Sequence, residues 1–282
     1  MSLNLSNLYE KNGFIEFENI FQKEIIDKWN KILDNSYQSH NDKKVSIDLA
    51  DLNQDGYIIL KDFFNDKIKF IIDQLIKDPI IYYAGSNEIP GNQLKSHVND
   101  NEIDGWHTDT GENLQYLDYK KPYWITFFVY LSDVGEKNGA FEITNLTKKK
   151  LINHNTKSHK LIGSKGKCFL WGNSHYHRAS PNLSNERRRI LKIQIQHNYL
   201  QNTYSEKLKN FKKYILDNDE YMNYLTGSKH SYAYRDWKLE TKINPQIIDI
   251  KNFNNQKDYN SIIKFHFVRR IKKNLKNFFN VY

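Results

Sequence analysis

The chain has 282 residues, of which 39% are hydrophobic and 14% aromatic; that is enough to build a buried core and too much for a disordered chain. Its single cysteine, Cys168, excludes an internal disulfide and fits a reducing compartment. The net charge of +9 is concentrated at one end: residues 261–282 hold Lys264, Arg269, Arg270, Lys272, Lys273 and Lys276 with no acidic residue, which leaves +3 for the rest, so charge alone does not indicate a nucleic-acid partner.

The opening MSLNLSNLYEKNGF has no basic segment followed by an apolar run, so no secretory signal is expected and the cytoplasm is the expected location. Ile25, Ile26, Trp29, Ile32 and Leu33 recur at helical spacing and predict a first helix. Asp51-Leu-Asn53-Gln-Asp55-Gly56, with Asp62 at position twelve, matches a calcium loop, although such loops want a bidentate Glu there; an Asx-rich turn before a helix is the other reading. Ile68, Ile71, Ile72, Leu75 and Ile76 predict a second helix over about 65–78, ended by Pro79.

The texture then changes. Short runs rich in aromatic and β-branched residues at 80–83, 93–98, 123–131, 140–144, 168–171 and 190–199 are separated by Gly, Asn, Asp and Lys clusters, the punctuation of a β-domain. The run from Trp124 to Leu131 is far too short to cross a membrane. Helices followed by many strands predict a mainly β core with flanking helices (α+β). In RRRILKIQIQHN, Leu191, Ile193 and Ile195 alternate with Arg188, Lys192, Gln194 and Gln196, so the polar face meets either solvent or a wet cavity. Helical texture returns over 204–225 and again over 261–282, where Val268, Ile271, Leu275, Phe278 and Tyr282 form a stripe. The basic face of this last helix packs on its own domain, lies on an anionic membrane surface, or docks nucleic acid, the last without any recognisable module.

The chemistry concentrates in GWHTDTGEN and HRASPNLSNERRR. Two histidines and a carboxylate bind one face of an Fe(II) ion and leave the opposite face open. His107 and Asp109 are two apart, on one strand face or at a strand end where Asp109 turns in. The third ligand must come from elsewhere in the fold, and His177 qualifies, with His175 as its rival. An arginine among Arg187, Arg188 and Arg189 can grip a carboxylate with two parallel hydrogen bonds.

With these motifs the chain resembles the phytanoyl-CoA dioxygenase family of Fe(II)/2-oxoglutarate-dependent oxygenases. KNGFIEFENIFQKEIIDKW is similar to that family's N-terminal strand and helix, GWHTD to its first metal motif, LSDVGEKNGAFEI to the stretch after the central strand, and HRASPNLSNERRR to its second metal motif; the likeness spans roughly residues 8–200. It implies a double-stranded β-helix, a jelly-roll or cupin-like barrel with iron in its mouth. One oxygenase domain is expected over 1–282, with N-terminal helices at about 15–78, the barrel at about 80–200 and, from the helical texture beyond the likeness, a C-terminal helical extension at about 201–282. It implies His107, Asp109 and His177 as iron ligands and Arg188, eleven residues beyond His177, as the anchor of 2-oxoglutarate; strand parity also selects Arg188. Gln93 and Lys95 fall where the family often faces polar residues toward the cosubstrate, and Asn182 where an asparagine shapes the turn. The family's Pro-Gly-Ser-His is replaced here by ITNLTKKK, in a loop that borders the mouth and bears on substrate choice.

The resemblance implies that 2-oxoglutarate and O2 are consumed to give succinate and CO2 while a C–H bond is hydroxylated. The retained Asp109 vacates no position for halide. Lys192, the Gln-rich strand face and Lys148 to Lys150 suggest a small, polar or anionic substrate. No nucleic-acid partner is expected, and the 261–282 helix is the candidate for peripheral membrane contact. The alternative is a non-catalytic, degenerate-barrel binding protein, calcium-responsive through 51–62.

Overall fold

The structure is a computed structural model and describes residues 4–37, 45–94, 105–109, 122–147, 157–198, 204–227 and 249–250. Helix α1 (Leu5–Asn12) starts at Asn4, whose side chain accepts the Asn7 N–H (3.1 Å), and stops at Gly13, which has φ +77°. After β1 (Phe14–Glu18), α2 (Lys23–Tyr37) buries Ile26, Trp29, Leu33 and Tyr37 along one stripe. β2 (Val45–Asp48) leads through a short 3-10 turn into α3 (Gln54–Phe63). α4 (Asp66–Leu75) is capped by Asn65 and buries Ile68, Ile71, Ile72 and Leu75, as the apolar spacing predicts. The strands follow: β3 (Pro79–Ile89), β4 (Trp124–Tyr130), β5 (Phe141–Thr147), β6 (His159–Leu161), β7 (Cys168–Gly172), β8 (His175–Ala179) and β9 (Arg188–His197). α5 (Ser205–Lys212), α6 (Glu220–Leu225) and the short β10 (Asp249–Ile250) complete the described elements. The stripe at 261–282, the Lys148–Lys150 run and Lys95 lie outside the described residues. Among the described residues no helix is long and apolar enough to cross a membrane.

Two antiparallel sheets face each other. The larger has the order β10-β1-β7-β4-β9-β3-β2 and the smaller β6-β5-β8. On the outer face of the large sheet, Ile125, Phe127 and Val129 of β4 and Leu191, Ile193 and Ile195 of β9 pack with the helices into one apolar cluster. The inner faces of both sheets enclose a second cluster, with Phe128, Phe141, Phe169, Trp171 and Ile190 at its heart. Non-consecutive strands pair in both sheets, the arrangement of a double-stranded β-helix.

Two strand predictions are corrected. β3 extends well past Tyr83, because its Gly-Ser-Asn stretch pairs with β9 down to Ile89↔Arg188. The predicted strand at 93–98 is not formed over its described residues 93–94. There the N–H groups of Asn92 and Gln93 donate to the carbonyls of Ser184 and Asn182 (2.6 and 2.7 Å) as a turn contact, with Asn92 at φ 56°.

Gly13 sits where α1 turns into β1. A methyl group there would come 2.3 Å from Nε2 of the buried His175 ring, on a backbone of positive φ. Gly13→Ala is therefore expected to lower stability by about 1–3 kcal/mol, the usual cost of overpacking, measured as a shift of the urea unfolding midpoint.

Candidate metal centre

The inner face of β9 carries Arg188, Ile190, Lys192 and Gln194, so its polar residues face inward rather than toward solvent. Arg188, Ile190 and Lys192 wall a cavity of about 220 Å³. At one end of it stands His177 of β8. His107 is pinned against it by two backbone hydrogen bonds, N–H to O=C in both directions (3.0 and 2.9 Å). This isolated bridge settles how the HxD motif is presented: His107 borrows strand geometry from β8, and Asp109 lies beyond it in a bend, its N–H donating to the Asn173 carbonyl (3.0 Å).

Three ligand atoms, one each from His107, Asp109 and His177, lie within 4.8 Å of one another. Oδ1 of Asp109 is 3.8 Å from Nε2 of His107 and 3.5 Å from Nε2 of His177. Each of these rings has Nδ1 2.9 Å from a backbone carbonyl, Gly105 for His107 and His175 for His177. A carbonyl accepts only from an N–H, so Nδ1 carries the proton and Nε2 turns its lone pair toward the carboxylate. Burial and the neighbouring His177 ring push the His107 pKa down, which keeps it neutral. Burial alone would raise the pKa of Asp109, but the neighbouring Lys192 ammonium is the chief influence against it, and the carboxyl is held well below its usual range. Three electron-pair donors thus converge on one point, and this donor set fits a divalent transition metal with an open face.

His175 shares the parity of His177 but not its place. Its ring is buried edge-on to Tyr9 (6.4 Å) and against Gly13, with Nδ1 3.3 Å from the Gly172 carbonyl. Burial lowers its pKa to about 4, so it stays neutral, and it is not among the three converging groups.

Parity also sorts the three arginines. Arg187 and Arg189 turn outward and share the Glu88 carboxylate, and Arg189 adds Asp34 (2.7 Å) and the face of Tyr37. Arg188 turns inward and is 2% exposed. One of its Nη atoms donates to the Gly139 carbonyl, its Nε has no partner, and no carboxylate among the described residues pairs with it. A buried guanidinium without an anion is costly, and here it lines the cavity that holds the histidines. The Asn-Gly pair explains itself in the same contact: Gly139, at φ +78°, aims its carbonyl at Arg188, with Asn182 and Arg188 packed where a side chain would stand. Asn182 is buried and ties the turn by donating to the carbonyls of Pro90 (3.0 Å) and Glu186 (2.8 Å).

Two expectations are set aside. Gln93 is exposed, outside the cavity wall, with its amide on the Gly91 carbonyl (3.2 Å). The calcium loop does not form, because 54–62 are helical and Asp62 faces Lys28 (2.8 Å) and the Trp29 indole, while Asp51 pairs with Lys207. Two contributors escape sequence reasoning: Thr126 and Asn173, both buried beside the triad. The available signal for Thr126 is that it is the one non-aromatic polar residue in the apolar run WITFFVY.

Fold and site together define a double-stranded β-helix with two imidazoles and one carboxylate gathered at a cavity. Solved structures share this fold at low identity. The non-heme α-ketoglutarate-dependent epimerase SnoN from nogalamycin biosynthesis is 13% identical with a TM-score of 0.51, over 68% of this chain and 81% of that one. HygX from Streptomyces hygroscopicus, solved with nickel and 2-oxoglutarate bound, is 13% identical with a TM-score of 0.55, over 72% and 89%. AviO1 from Streptomyces viridochromogenes Tue57 is 11% identical with a TM-score of 0.56, over 71% and 98%. No protein-family model and no curated protein matches the chain.

Proposed function

We propose that this protein is an iron(II)- and 2-oxoglutarate-dependent oxygenase of the phytanoyl-CoA dioxygenase type that hydroxylates a small, polar or anionic metabolite. The observation that carries the reading is the convergence of three ligand atoms within 4.8 Å at a cavity also lined by a buried guanidinium that no carboxylate among the described residues pairs with. His107, Asp109 and His177 would hold the metal, and the fold shared with 2-oxoglutarate-dependent enzymes supports the choice. With iron bound, the centre supplies oxidation by O2: 2-oxoglutarate becomes succinate and CO2, and one oxygen atom enters the substrate C–H bond.

The protein's own part is positioning. Arg188 offers a fixed fork of N–H donors that matches a carboxylate. Phe128, Phe141, Trp171 and Ile190 line the cavity with apolar surface suited to the methylenes of a keto-acid and to excluding water. The Nδ1–H bonds fix both imidazoles in the ligating tautomer. Lys192, at the cavity wall, places a cation where an anionic substrate group could be met.

Screening polar and anionic metabolites for stimulated succinate release tests the reading. The expected result is iron-dependent release that rises with one substrate class and disappears in His107→Ala. Succinate release at the same rate in His107→Ala would contradict it.

A further inference from the structure

Asp109 is the member of the triad that no ladder orients. His177 is set by β8 and His107 by its bridge to His177, whereas Asp109 stands in a bend. A closed circuit of polar groups holds it instead. Its Oδ2 accepts from Nζ of Lys192 (3.0 Å) and lies 3.4 Å from Nε2 of Gln194. Gln194 also donates to the Thr126 hydroxyl (3.1 Å), and that hydroxyl donates to the side-chain carbonyl of Asn173. The backbone carbonyl of the same Asn173 receives the Asp109 N–H (3.0 Å). Thr126, Asn173 and Gln194 are all buried. Both the main chain and the carboxylate of Asp109 are thus fixed from β4, β9 and the β7–β8 turn. The oxygen left facing the imidazoles is Oδ1.

We propose that Lys192, backed by Gln194, is a positioning residue of the metal centre: by holding Oδ2 it makes Asp109 a one-oxygen ligand through Oδ1. This rests on the iron reading above. A carboxylate left to rotate binds a metal through one oxygen or two, and the second oxygen would occupy a coordination position that a chelating keto-acid needs. The ammonium sits on the oxygen away from the converging Nε2 atoms, so it restrains the carboxylate without occupying the ligand side.

The sign of one substitution separates positioning from simple charge. Removing an ammonium beside a divalent ion should, by Coulomb's law alone, tighten metal binding. Loss of positioning should weaken it. Co(II) titration of the metal-free full-length chain, followed by d–d absorption, reads both affinity and coordination. Lys192→Met is expected to bind Co(II) about 10-fold more weakly or worse, as for other outer-shell partners, with an altered band shape. Lys192→Arg, which restores a donor at Oδ2, should recover most of the affinity and the wild-type band. Gln194→Met should shift both in the same direction by less, and it decides the matter if Lys192→Met does not fold. Equal or tighter binding by Lys192→Met with an unchanged band, while Asp109→Ala abolishes binding, overturns the positioning role and leaves the iron reading intact. A wild-type chain that binds no Co(II) overturns both.

Discussion

Arg188→Met is expected to abolish measurable 2-oxoglutarate binding while leaving the ligand-free protein as stable as before, or more so. The guanidinium is almost wholly buried, one Nη donates to a backbone carbonyl, and Nε has no partner among the described residues. Burial pulls its pKa down, which shows that the surroundings oppose the charge. Such a group lowers stability until an anion arrives, and replacing buried ionic groups by apolar ones of similar size is often neutral or stabilising. The same charge becomes the main source of affinity once a carboxylate pairs with it. Losing a desolvated, hydrogen-bonded charge pair costs about 2–5 kcal/mol, which is about 30-fold or more in affinity. Thermal melts with and without 2-oxoglutarate in the presence of a divalent metal measure both quantities. Arg188→Lys should fall between, since it keeps the charge but loses the planar fork. A clear drop in the midpoint of ligand-free Arg188→Met, with its 2-oxoglutarate shift intact, would show that Arg188 is a structural residue.

The second large effect is on the metal itself. Asp109→Ala, His107→Ala and His177→Ala should each weaken metal binding by more than the roughly 10–100-fold that the loss of an outer-shell partner costs. Each removes one of three donors whose ligand atoms lie within 4.8 Å of one another. His175→Ala should not do so, because its ring packs against Tyr9 and Gly13 rather than into the cluster; its expected effect is on stability. Equilibrium dialysis of the four variants against Co(II) or Fe(II) under argon makes the comparison. Equal losses in His175→Ala and His177→Ala would remove the geometric distinction between them.

The sequence exposes those parts of the fold whose periodicity survives in one dimension. α2 and α4 are legible because Trp29 and Leu33, or Ile68, Ile71, Ile72 and Leu75, repeat at 3.6 residues along a buried stripe. β9 is legible because Leu191, Ile193 and Ile195 face the helices while Arg188 and Lys192 face the cavity. That alternation also distinguishes Arg188 from its two neighbours without any knowledge of Glu88, the acid that holds them. β4 is a strand by composition, but both of its faces are buried, so nothing in the run says which way Thr126 points. β3 conceals its length because Gly85, Ser86 and Asn87 have the chemistry of a turn and are held extended only by β2 and β9. The calcium-loop match at 51–62 arises because an Asx-rich turn and the start of a helix use the same residues; the helix over 54–62 and the partners of Asp51 and Asp62, Lys207 and Lys28, separate the readings.

The site divides along the same line. His107, Asp109, His177 and Arg188 are named through the family resemblance that GWHTD and HRASPNLSNERRR carry, since residue type and spacing alone leave His175 open beside His177. Gln93 cannot be judged that way, since its orientation depends on a turn tied to Asn182 and Ser184, far along the chain. The circuit through Lys192, Gln194, Thr126 and Asn173 joins three separate stretches of sequence and exists only once β4, β7 and β9 lie side by side.

The central claim is that His107, Asp109 and His177 together hold one metal ion beside a keto-acid site at Arg188. Anaerobic titration of the metal-free chain with Fe(II) and then 2-oxoglutarate tests it most directly. The account predicts a weak visible charge-transfer band that appears only when both are present, saturates at one iron per chain, and vanishes in Asp109→Ala and Arg188→Met. A wild-type protein that takes up neither iron nor 2-oxoglutarate, or a band that persists undiminished in Asp109→Ala, would contradict it.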